Sequence, residues 1–179
     1  LEQIALINRG RERAPRRLGR KLENVVLISS DLDRAVFAEY VADGVLGVSR
    51  HLLIYGSDRD SALRLSRRIT GHDRLGTAFV DADLSPQMRD LFLKNRDRLS
   101  YIDVSQAVHV ADGNGHGYFR SSPWVSSDLL MKLAYRLDPE QRGLVRNPAT
   151  GILSFPPDYV NRMTEVQAAS YRDRAAPAP

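Results

Sequence analysis

Three short apolar runs limit this chain more than any other feature. They are "NVVLISS" (Asn24–Ser30), "HLLIYGS" (His51–Ser57) and "YIDVSQ" (Tyr101–Gln106). Each is rich in β-branched or aromatic side chains, and the first two are apolar without alternation. Strands of that kind suit a parallel sheet covered on both faces, because a sheet with one wet face alternates apolar and polar positions. Segments with helical spacing separate the runs. "DLDRAVFAEYVADGV" carries Asp31 and Asp33 near its start, where a carboxylate complements the positive end of a helix dipole. "DSALRLSRRIT" begins at Asp60, with Ala62, Leu65 and Ile69 as its predicted inward stripe. "DLSPQMRDLFLKNRDRL" holds a further helix, and another is predicted over Ser126–Leu137. The order strand, helix, strand, helix, strand, helix predicts an α/β fold with a parallel sheet and right-handed crossovers. Ligands of open sheets sit beyond the carboxyl ends of the strands. Asp31, Asp60 and His116 each follow such an end, so one rim is predicted to gather them.

The composition removes several classes of function. The chain has 179 residues, 42% hydrophobic and 27% charged, which is ordinary for one globular domain. It has no cysteine, so disulfides, thiolate catalysis and Cys-ligated metals are excluded. No apolar run reaches the length of a membrane span. The net charge is +4, and much of the excess lies in "RGRERAPRRLGRK" (Arg9–Lys21). That segment lacks interleaved aromatics and fits no nucleic-acid module. It reads as a solvated basic loop, and no nucleic-acid partner is expected. The chain opens without Met on "LEQIALIN", which reads as the end of a helix, so residues upstream of Leu1 are expected. Residues 1–137 are predicted to form the folded α/β portion. Residues 138–179 are predicted to be an irregular tail, with "GILSF" as a candidate short strand.

The chemistry centres on "ADGNGHGYF" (Ala111–Phe119), where His116 stands among Gly113, Gly115 and Gly117. Asp60 and His116 follow strands that can be neighbours. A carboxylate on one imidazole nitrogen fixes the tautomer and stabilises the imidazolium, which leaves the other nitrogen free to take a proton. Asp31 is the alternative acid, and its other expected role, with Asp33, is capping. Ser57 is expected to cap or pack rather than attack. His51, His72 and His109 are expected to be structural or exposed, and no histidine pair has metal-ligand spacing. Tyr118, Phe119 and Trp124 are candidates for pocket lining or core packing.

Several motifs occur in one order: "NVVLISSDLDRAVF", "LLIYGSDRDSALRLSRRI", "RLG", "YIDVS" and "GHGYF". Together they resemble the C-terminal half of a bacterial α/β-hydrolase family of unknown function, related to serine esterases and lipases. The resemblance spans Val25 to Leu137. It implies Asp60 as triad acid and His116 as base, acting on a small ester-like or acyl substrate without metal or cofactor. In that fold the nucleophile precedes the acid on a G-x-S-x-G turn. No such motif occurs in these 179 residues, so the serine is expected upstream of Leu1, and the chain alone is expected to be inactive. A parallel sheet lacking its upstream strands would expose an apolar edge and favour aggregation. Two other readings are a non-catalytic remnant with a binding role, and an Asp-x-Asp phosphatase using Asp31 and Asp33.

Overall fold

The computed structural model describes residues 22–79, 84–107 and 116–166. The expected N-terminal helix end, the basic segment Arg9–Lys21, His109, the glycines at 113 and 115, and residues 167–179 lie outside the described residues.

The three apolar runs form parallel neighbours: β1 (Leu22–Ile28), β2 (Ser49–Gly56) and β3 (Leu99–Asp103). Helices α1 (Arg34–Ala42) and α2 (Ser61–Thr70) follow the first two strands, and α3 (Pro86–Lys94) precedes the third. After β3 come α4 (Tyr118–Ser121) and α5 (Pro123–Tyr135), then the short strands β4 (Val145–Arg146) and β5 (Leu153–Ser154). The sheet order is β1-β2-β3-β5-β4, with β5 parallel to β3 and β4 antiparallel to β5. The α/β architecture is the one expected from the strand and helix order.

Both faces of the sheet are covered. Leu53 and Tyr55 of β2 pack with Val125, Met131, Phe155 and Tyr159 on one face. Leu52 and Ile54 pack with Phe37, Met88, Phe92 and Tyr101 on the other. Successive residues of one strand thus feed two cores, which is why the run shows no polar alternation. Among the described residues β1 is an edge strand, paired with β2 alone.

Polar side chains set the helix starts. Asp33 accepts from Ala35 N and Val36 N at 2.7 and 3.3 Å, and Asp60 accepts from Ala62 N and Leu63 N, both at 3.1 Å. Each satisfies donors that the first turn leaves orphaned. Helix α5 starts at Pro123, earlier than the predicted Ser126, because Ser122 caps it and proline's fixed φ suits the first helical position.

One expectation is corrected, on helix α2. Helix α2 buries Leu63, while Leu65 and Ile69 are 58% and 76% exposed. The apolar stripe was read from spacing alone, and Leu63 instead packs inward beside Gly76. The segment from Asp138, read as an irregular tail with a short strand at "GILSF", carries that strand as β5 and adds β4. It also buries Leu144, Phe155, Tyr159 and Met163 in the core.

Gly76 stitches the ends of β1 and β2 together. Its N–H donates to Ser30 O at 2.8 Å, and its carbonyl accepts from Ser57 N at 2.9 Å. A Cβ there would lie 2.4 Å from Ser30 N, so only glycine allows the backbones to approach this closely.

Candidate active site

Asp60 lies just past the end of β2, fully buried, as the cap of α2. Its Oδ1 holds the two helix N–H groups, and its Oδ2 lies 2.8 Å from His116 Nδ1. An ionised carboxylate only accepts, so a neutral His116 carries its hydrogen on Nδ1, and Nε2 is the basic nitrogen. The imidazole side chain is 48% exposed while Asp60 is sealed, so the ring has one anchored edge and one reachable edge. Such an arrangement can orient an imidazole for proton transfer at its other nitrogen.

The histidine is placed by tyrosine and serine contacts that the sequence did not announce. The Tyr118 hydroxyl donates to Tyr55 O at 2.9 Å and accepts from Ser29 N at 3.1 Å. One buried phenol thereby ties the ends of β1 and β2 to the turn carrying His116. Burial pushes its pKa up to about 12, with the Ser29 bonds opposing the rise. The Ser29 hydroxyl reaches His116 O at 3.4 Å, and Ser29 itself adopts a left-handed φ of 47°. A non-glycine residue there costs on the order of 1 kcal/mol, which the surrounding bonds offset. Ser122 Oγ donates to Ala107 O at 2.7 Å and joins the base of α5 to the end of the β3 segment.

The other predicted residues separate. Asp31 is largely exposed and binds Ser66 Oγ at 2.7 Å and Arg74 Nε at 3.2 Å, away from the imidazole–Asp60 pair. Asp33 caps α1 and meets His72 Nδ1 at 3.2 Å, so the two carboxylates of the Asp-x-Asp pattern have different partners. Ser57 is buried and accepts from Arg59 N at 3.1 Å, a local turn contact. His51 stands near the start of β2, at the opposite end of that strand from Asp60. Trp124 packs against Phe155 and Tyr159, as a core residue does, whereas Phe119 is 37% exposed under Arg120. Asp103 closes β3, and its carboxyl pKa is raised by burial against the bonds from Ser105.

The structure brings together Asp60 and His116, the pair the sequence singled out, but Tyr118 and Ser29 did not stand out as residues that hold the turn. The available signal was weak. A tyrosine two positions past a candidate base reads equally well as pocket lining. Both bonds of its hydroxyl go to backbone atoms, which leave no pattern in side-chain identity.

No helix among the described residues is long and apolar enough to cross a membrane. Comparison with curated proteins and with solved structures gave no match. Residues 1–133 match the family model described as alpha/beta hydrolase of unknown function (DUF900). That match covers most of the 179 residues and agrees with the mostly parallel sheet and its flanking helices, so this chain belongs to that alpha/beta-hydrolase family.

Proposed function

We propose that this chain supplies the acid and base of a serine hydrolase acting on a carboxylic ester, thioester or amide. The observation that carries the reading is the 2.8 Å contact between buried Asp60 and half-exposed His116, at the carboxyl end of the strands. The attacking serine stands upstream of Leu1 in this reading, because the fold's chain order is nucleophile, acid, histidine.

In the proposed reaction His116 Nε2 takes the serine proton as the hydroxyl attacks the carbonyl carbon. Asp60 stabilises the resulting imidazolium through Nδ1–H. The imidazolium then gives its proton to the leaving alcohol, thiol or amine as the tetrahedral intermediate collapses. Water repeats the cycle on the acyl-enzyme and releases the acid. Backbone donors for the oxyanion, commonly the largest catalytic contribution, belong to the upstream half in this reading.

The choice of acid is tested by Asp60→Asn and Asp31→Asn in the intact gene product, with short p-nitrophenyl esters as substrate. Asparagine at 60 keeps an oxygen for the α2 cap but disturbs the acceptor that orients the Nδ1–H tautomer. Turnover should fall on the order of 10⁴-fold. Asp31→Asn should change it by less than about threefold, as expected of an exposed residue without contact to the base. The reverse ranking would overturn the assignment of Asp60.

A further inference from the structure

At the amino end of the sheet, away from the Asp60–His116 pair, a cavity of about 450 Å³ opens beside His51 of β2 and Ser100 of β3. Its size falls within the range of small-molecule sites. Lys132 of α5 lines it and is only 5% exposed. The Lys132 ammonium has no hydrogen-bond or ion-pair partner among the described residues. Burial and the neighbouring Arg142 both lower its pKa, while Asp138, Glu23 and Asp128 pull the other way from a distance, Glu23 being paired with Arg50 and Asp128 with Arg142. An ammonium this enclosed, with no direct ion pair among the described residues, is costly and is rarely kept without a counter-ion.

The other charges around the cavity do not supply that counter-ion. Arg142 is engaged with Asp128 at 2.6 Å, and its Nε is sealed from the cavity, without a hydrogen-bond partner among the described residues. Arg146 is held by Glu140 at 3.1 Å, which consumes the acidic group nearest to it. Asp97 and Asp138 are exposed at the cavity's edge, and Asp97 meets only exposed Arg96, at 4.0 Å. His51, half-buried, has no hydrogen-bond partner for its ring among the described residues, and its pKa is lowered first by burial and then by Lys132.

We propose that this cavity binds a small phosphate-bearing anion, with the Lys132 ammonium as its central contact and His51 and Ser100 as further donors. A phosphate has enough acceptor oxygens for several convergent N–H and O–H donors, and it supplies the negative charge that Lys132 lacks. The site is independent of the hydrolase assignment, because its readout is binding rather than ester turnover.

The test is isothermal titration of the full chain with inorganic phosphate and with pyrophosphate, at matched ionic strength, for the wild type and Lys132→Met. Saturable binding is expected in the wild type, weakened at least about tenfold in Lys132→Met. Without anion, the variant should melt no lower than the wild type, since methionine fills the same space without a buried charge. His51→Asn provides a second variant, with a smaller loss expected. Absence of saturable binding to the wild type would overturn the proposal. So would equal affinity in both variants, which would assign the binding to the basic segment Arg9–Lys21.

Discussion

Asp60 and Asp128 are equally buried, both at 0% exposure, yet they serve different ends. Asp60 spends one oxygen on the α2 backbone and the other on an imidazole that reaches solvent. Asp128 faces inward on every side. Its Oδ2 accepts from Tyr55 and from Arg142, both at 2.6 Å, and both partners are fully buried. Burial pushes the Asp128 carboxyl up against the pull of Arg142, and it pushes the Tyr55 hydroxyl well above its usual range. Burial alone therefore does not mark a catalytic carboxylate. The difference lies in whether the partner is a half-exposed imidazole or a fixed charge sealed in the core. Asp128, Tyr55 and Arg142 join α5, β2 and the segment after α5, so they stabilise the scaffold that Asp60 and His116 stand on.

The largest stability effect should come from breaking the sealed pair. Asp128→Asn leaves Arg142 buried without its counter-charge and should cost about 3–5 kcal/mol in urea unfolding. Replacing the set together, with Asp128→Leu, Arg142→Met and Tyr55→Phe, should recover most of that loss, as expected when a buried ion pair gives way to apolar packing. No such recovery is expected for Asp60, whose value in this account is chemical.

A smaller effect is expected where the two regions meet, at Tyr118. Tyr118→Phe removes the hydroxyl that binds Tyr55 O and Ser29 N and should cost about 1–3 kcal/mol. It also gives a pH test with a definite sign. The pKa of Tyr118 rises from 10.0 to about 12 on folding. Below pH 10 the phenol is protonated in both states, and its contribution is fully present. As pH rises from 10 through about 12, the unfolded state ionises first and the contribution is lost. Stability curves of the wild type and Tyr118→Phe should therefore converge across that window. Parallel curves would show that the phenol does not hold the turn.

The smallest effect is expected on the outer face of α2. Leu65→Gln and Ile69→Lys should each shift stability by no more than about 0.5 kcal/mol, since both side chains are exposed. Leu63→Ala, by contrast, should cost about 2–4 kcal/mol. Equal costs at Leu63 and Leu65 would mean that the described packing of α2 is wrong.

The sheet was legible in the sequence because β1, β2 and β3 carry long apolar runs with clear helices between them. Asp60 and His116 were legible because each follows a strand end, and the fold turns that position into a shared rim. The α2 face was misread because the rule that buried residues are apolar does not run backwards, and exposed leucines are common. Strand β5 falls within "GILSF", where a short strand was expected, whereas β4 is two residues long, too short to show any period, and is fixed by pairing with β5. The Lys132 cavity was invisible for a different reason. Its walls come from the starts of two strands, one helix and the segment after it, and only the folded chain brings those together. Ser29 and Tyr118 act through backbone atoms, which residue identity does not record.

The central claim is that His116 is a base oriented by Asp60. Its most direct test is ester turnover by the intact gene product carrying His116→Ala, with the melting temperature taken on the same sample. The side chain is half-exposed, so its removal should change stability by no more than about 1 kcal/mol. Turnover should fall on the order of 10⁴-fold or more while the melting temperature holds. A folded variant that retains turnover within about threefold of the wild type, well below the 10²–10⁴-fold contribution of a general base, would contradict the account.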